Sequence, residues 1–149
     1  MKRLFVDSGV ILKSIFGEYG FSKSIFALCA ARIHQLVLAE VVQQEIENNL
    51  LHAFYERKHS DKVLSDFDTF LRKARPEVIA PPSVHEVLQA ARIIRHFNDA
   101  PVLASAIVAK PDWLITNNTI HFTPEVALRT GLQIGTPYDF MYEVHSRYN

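Results

Sequence analysis

Five short, mostly apolar runs, none longer than five residues, recur along the chain and are separated by longer stretches of helical periodicity. They are Leu4-Phe5-Val6, Gln35 to Ala39, Val78-Ile79-Ala80, Trp113 to Thr116 and Leu132-Gln133-Ile134, each bounded by turn residues. Their hydrophobicity is continuous rather than alternating, which suits strands buried on both faces of a parallel sheet. The intervening helices carry clear start and stop signals. Ser83-Val84-His85-Glu86 is an S-x-x-E capping box after two prolines, and Val84, Val87, Leu88, Ala91 and Ile94 then fall on one helical face. Ser60 caps a second helix carrying Val63, Phe67, Phe70 and Leu71, with Pro76 stopping it. Thr123-Pro124 and Thr136-Pro137 each set a capping hydroxyl before a proline, and Gly131 ends the first of these two helices. Strands alternating with helices predict an α/β layered domain.

Composition narrows the class. A chain of 149 residues, 48% apolar, is expected to form a single domain over 1–149 with a sizeable core, not a disordered tail. Sixteen basic residues balance sixteen acidic ones, so net charge does not grip nucleic acid, although a local basic rim stays open. The longest apolar stretches, such as Val102 to Ala109, fall far short of the roughly 20 residues of a membrane span. Met1-Lys2-Arg3 leads into only a short apolar run, so no signal peptide is expected. A single cysteine, Cys29, forms no intrachain disulfide, and the expected location is the cytoplasm.

In open α/β sheets ligands sit beyond the carboxyl ends of the strands. Four polar positions answer to that place: Asp7 after the first strand, Glu45 six residues past the second, Asp99 before the apolar helix Ala100 to Ala109, and Asn117-Asn118 after the fourth. Each has a plainer reading. Asp7 can form an Asx-turn, Glu45 can be solvated, Asp99 can be an N-cap, and the asparagines can make a turn. Jointly they point to a cleft with three carboxylates. Like charges at ~4 Å repel by roughly 4 kcal/mol at an effective dielectric near 20, so the cluster needs a cation or a proton. Oxygen donors favour Mg²⁺ or Mn²⁺. Zinc is disfavoured, because one Cys and seven scattered His show no paired spacing. His34, His52, His96 and His121 read as ordinary surface or core histidines.

These stretches resemble the PIN domain, the nuclease fold that includes VapC-like toxins. The similarity is carried by Leu4 to Val10, Leu38 to Glu45, Asp99 to Ala106, Trp113 to Asn118 and His121-Phe122, in family order, and spans about Arg3 to Met141. Two positions depart from the pattern: Gly9 stands where the family often has Asn, and Asn118 where it often has Asp.

The resemblance implies a three-layer fold, with a central parallel sheet of about four to five strands flanked by helices. It also implies a Mg²⁺- or Mn²⁺-dependent endoribonuclease, the toxin of a toxin–antitoxin pair. Asp7, Glu45 and Asp99 would hold the metal directly or through water, and Asn118 would complete the catalytic set. Ser8 and Thr116 would position water or substrate. Arg92, Arg95 and His96, and Arg57-Lys58, are candidate phosphate contacts, although a solvated helix face explains each as well. RNA, an antitoxin protein and a second copy in a homodimer are the expected partners, with no membrane.

Two other classes compete. A phosphotransfer enzyme with Asp7 as nucleophile would need a second Asp two residues on, where Gly9 stands, or an acidic pair before it. A binding module with this fold but weak or lost nuclease activity draws its support from Asn118.

Overall fold

The computed structural model describes residues 1–17, 20–56 and 61–145. Ser60, read as a cap, and Arg57-Lys58, read as phosphate contacts, lie outside the described residues. Strands form at the five expected places, β1 (Arg3–Val6), β2 (Gln35–Ala39), β3 (Glu77–Ile79), β4 (Trp113–Ile115) and β5 (Ile134–Gly135), although β3 starts one residue before its apolar run and β5 shares only Ile134 with its own. They form one sheet in the order β3-β2-β1-β4-β5, and every neighbouring pair is parallel. Leu4, Phe5 and Val6, Leu36 to Ala39, and Trp113 to Ile115 are all buried, as strands covered on both faces must be. The edge strand β3 is half exposed.

Eight α-helices surround the sheet among the described residues: α1 (Ser8–Phe16), α2 (Phe21–Ala30), α3 (Glu40–Tyr55), α4 (Asp61–Ala74), α5 (Val84–Ala91), α6 (Ala100–Ala109), α7 (Pro124–Thr130) and α8 (Pro137–Phe140). The caps read from the sequence form. Ser83 Oγ accepts from Glu86 N–H while the Glu86 carboxylate accepts from Ser83 N–H. Thr136 and Asp139 make a second such box, Thr123 caps α7, and Gly131 closes it at φ +76°. The apolar helix α6 is central, with Ala100, Leu103 and Ala106 fully buried.

α5 departs from its expected face. Val84 and Leu88 stand exposed while Ala90 is fully buried, and the helix ends at Ala91. α5 packs against α6, and the residue it buries there is Ala90 rather than Val84 or Leu88. Ile94 still reaches the core from the turn after the helix. Cys29 is packed inside, and burial pushes its thiol up to about 12. No described helix is long and apolar enough to cross a membrane.

His34, beneath the sheet's amino-terminal edge, is buried rather than ordinary in its contacts. Its Nδ1 accepts from Lys2 N–H at 3.1 Å and its Nε2 lies 3.0 Å from His145 Nε2, edge-on to Phe140. Burial lowers its pKa, aided by the His145, N-terminal and Lys2 charges. A depressed histidine contributes stability above its ordinary value near 6.5 that is lost as pH falls through its folded value. Thermal melts should therefore fall between pH 7.5 and 5.5, and His34→Gln should flatten that slope. An unchanged slope in the variant would assign the acid sensitivity to other groups.

Candidate active site

The strand order fixes where the site lies. From β1 the chain steps outward through β2 to β3, then returns past β1 to β4 and β5 on its other side. The direction of winding thus reverses between β1 and β4, and the crevice there is where α/β sheets bind ligands. Asp7 leaves the end of β1, and Thr116, Asn117 and Asn118 leave the end of β4 beside it. Asp7 N–H donates to Ile115 O at 3.0 Å, sealing the two strand ends together.

Asp7 uses both carboxylate oxygens. Oδ1 accepts from Ser8 N–H at 2.8 Å, capping α1, and Oδ2 accepts from the fully buried Thr116 hydroxyl at 2.9 Å. The plainer Asx-turn reading does not hold: Oδ1 caps α1 at the very next N–H rather than two residues on. Ser8 Oγ donates to Glu45 Oε2 at 2.7 Å, tying α3 to the start of α1. Glu45 is aimed there because Val42, Ile46 and Leu50 bury the adjoining stripe of α3. It is not a solvated helix residue.

Burial raises the pKa of Asp7, against the hydrogen bonds from Thr116 and Ser8, and the charge of Asp99 raises it further. Burial likewise raises Glu45, opposed by Ser8 and reinforced by the charges of Asp7 and Asp99. The three carboxylates therefore act on one another through space, as like charges do in a shared cleft.

Asp99 ends a 3₁₀ turn (Phe97–Asp99) and precedes α6, yet its side chain caps nothing. Its Oδ2 lies 2.6 Å from His121 Nδ1. That contact is out of line for a hydrogen bond, and Oδ2 is buried without any hydrogen-bond partner among the described residues. His121 Nδ1 also lies 3.1 Å from Asn118 Nδ2. One ring nitrogen serves only one of them: bare, it accepts from the Asn118 amide; protonated, it faces Asp99. His96 stacks on His121 with ring centroids 3.5 Å apart.

His121 is the part of the site that sequence reasoning missed, whereas His96, which stacks on it, was a candidate phosphate contact. His121 lies three residues past Asn118, an ordinary turn spacing, and only the fold brings Asp99 to it.

Among the described residues no three His, Cys, Asp or Glu side chains stand close enough to hold a metal ion between them. The donors are nonetheless hard oxygens, and one of them, Asp99 Oδ2, is buried without a hydrogen-bond partner. That set fits a Mg²⁺ or Mn²⁺ ion held by one or two carboxylates, with water completing its shell.

Arg92 and Arg95 stand exposed on the segment after α5. With His96, His121 and Arg129 they line a cleft of about 740 Å³ that reaches the Asp99–His121 contact. Arg129 Nη1 donates to Arg92 O at 3.3 Å, which draws the α7 side of the cleft toward the α5 side.

No family model matches the sequence, and no curated protein matches it. Solved structures do match. The structure of VapBC2 from Rickettsia felis, bound to a DNA fragment from its promoter, is similar at 17% identity and a TM-score of 0.62, over 90% of this chain and 98% of that one. PAE2754 from Pyrobaculum aerophilum is similar at 15% identity and a TM-score of 0.59, over 98% of this chain and 90% of that one. Similarity over that length, on an all-parallel five-stranded sheet flanked by helices, makes this a chain with the PIN-like α/β fold.

Proposed function

We propose that this protein is a metal-dependent endoribonuclease, acting in the cytoplasm as the toxin of a toxin–antitoxin pair. The observation that supports the reading is that Asp7 and Glu45, both bonded to Ser8, are raised by burial and further by the charge of Asp99. A fold does not by itself keep carboxylates in mutual repulsion; a cation that neutralises them gives a reason to retain them. Mg²⁺ or Mn²⁺ held by Asp7, Glu45 and Asp99, in part through water, supplies an activated water and charge stabilisation for phosphodiester hydrolysis.

The chain's own residues hold that centre. Thr116 fixes the Asp7 carboxylate and Ser8 fixes that of Glu45, each through a hydroxyl donor. His121 Nδ1 stands between Asp99 and Asn118 and serves one of them at a time. Arg92 and Arg95 bind the RNA backbone in the adjoining cleft, where cations serve phosphates irrespective of base. The partners in this reading are RNA, an antitoxin protein that restrains the cleavage, and a second copy of the chain.

A second reading, a binding module with weak or lost cleavage, is favoured by one observation: Asn118 is neutral and spends its amide on His121. Incubation of the purified protein with a structured RNA decides between them. Cleavage in Mn²⁺ that stops in EDTA is expected. RNA binding without cleavage at any Mn²⁺ concentration overturns the nuclease reading and leaves the module.

A further inference from the structure

The two adjacent asparagines after β4 turn to opposite sides of the site. Asn118 reaches His121 and the arginine cleft, whereas Asn117 Nδ2 donates to Ser22 Oγ on α2 at 3.4 Å. Beyond Asn117 lies a second recess, of about 290 Å³, whose walls include Lys13, Phe21, Lys23, Asn117 and Tyr138. Two lysines line it, and no carboxylate does among the described residues.

Its aromatic wall runs outward as a ladder. Phe21 meets Tyr138 edge-on at 5.2 Å between centroids, and Tyr138 stacks with Tyr142 at 6.0 Å and 19°. These rings are 48%, 53% and 63% exposed. Tyr138 is turned outward on the four-residue helix α8, which the Thr136–Asp139 capping box holds in place.

We propose that this recess binds an unpaired base of single-stranded RNA, on the side of Asp7 opposite the arginine cleft. The proposal takes its substrate from the nuclease reading and adds that the strand must be unpaired where it leaves the carboxylates. The occupant follows from three features. Exposed aromatic rings stack on any base whose face is free, and a duplex hides those faces. The lysines supply the charge that a backbone needs beside its bases. The recess also adjoins the site along the chain, since Asn117, which lines it, directly follows Thr116, which holds Asp7. A strand lying across the carboxyl ends of the strands would have its phosphates among Arg92, Arg95 and Arg129 on one flank, and a base against Phe21 and Tyr138 on the other.

The test measures binding in EDTA, where no cleavage intervenes. The probes are a labelled single-stranded oligoribonucleotide, the same strand in a duplex, and a strand with abasic positions. Wild type should prefer the single strand. Tyr138→Ala, and Tyr138→Ala with Phe21→Ala, should lose roughly 5- to 150-fold of that affinity, with the duplex unaffected. Tyr138→Phe should keep it, and Arg95→Ala should weaken both forms in a salt-dependent way. Because Tyr138 is half exposed on a short surface helix, its single variant guards against failure of the double variant to fold.

No single-strand binding by wild type, undiminished binding by the Tyr138→Ala variant, or an equal loss on the abasic strand would each overturn the proposal. So would a wild-type dimer in sedimentation that the variants dissociate, since the rings would then serve a second copy. Cleavage in Mn²⁺ is scored separately. Ring-dependent binding without cleavage sinks the nuclease reading alone; cleavage with unchanged binding and kcat/KM in the Tyr138→Ala variant sinks this proposal alone.

Discussion

Asp7→Asn should abolish Mn²⁺-dependent RNA cleavage while leaving the metal-free protein as stable as wild type, or more so. The carboxylate is asked to hold an ion whose charge stabilisation is worth several kcal/mol, and about 4 kcal/mol of barrier is a factor of roughly 10³ in rate. Stability moves the other way. Burial and the Asp99 charge raise the Asp7 pKa, so the folded state binds its proton more tightly than the unfolded chain does. Such a group contributes stability that is present below its ordinary value near 3.9 and is lost as pH rises through its folded value. At neutral pH the ionised carboxylate is therefore a cost, which the neutral amide removes. Asn also retains an oxygen to accept from Ser8 N–H, and it caps helices about as well as Asp. Melts in EDTA at pH 7.5 and pH 4, beside cleavage assays, test both halves. A drop of many degrees at pH 7.5 would show that Asp7 is a structural cap first. Asp7→Ala, which loses the cap at about 1 kcal/mol, calibrates that outcome.

The second large effect is expected at Asn118. Asn118→Asp adds a charge beside Asp99, and a charge at ~4 Å is worth up to roughly 4 kcal/mol before desolvation and repulsion reduce it. His121 takes part of that gain, because its Nδ1 serves either the new carboxylate or Asp99 and not both. A net tightening of Mn²⁺ binding by about tenfold, near 1.4 kcal/mol, is the expected result. Without metal the variant should melt below wild type, and it should recover more when Mn²⁺ is added. Calorimetric titration of both proteins settles it. Equal affinity and stoichiometry would place Asn118 outside the ion's surroundings.

What could be read ahead of the structure was whatever is written locally. Leu4-Phe5-Val6 and Trp113-Leu114-Ile115 announce themselves as two-sided strands, and Ser83 with Glu86 announces a helix start, because both depend on residues within one turn or one run. The acidic positions were legible from their place after strands, together with the family resemblance. Strand order was not, since β1 lies between β2 and β4 only through pairings such as Leu4 with Trp113, which no local pattern encodes. The exposure of Val84 and Leu88 was illegible for a related reason: a helical stripe tells which residues are apolar, not which of them the helix buries where it packs against α6. His121 escaped because a histidine's role depends on what comes near its ring. For Asp99 and His121 the neighbours are 22 residues apart, joined across a helix and a strand.

The placement of β1 between two strands of very different age has a consequence for how the protein is made. β1 and β2 are synthesised early, but the other flank of β1 is closed by β4, whose Thr116 grips Asp7 across 109 residues of chain. At roughly 5–20 residues per second, a ribosome needs on the order of 5–20 s to travel that distance. Until then Asp7 has neither Thr116 nor the turn that carries Asn118, and one edge of the central strand is open. A nascent chain is thus inert at the very positions proposed to cut RNA. A hydrolase that could attack the messages being translated around it would come into force only once β4 has followed β1 out of the ribosome.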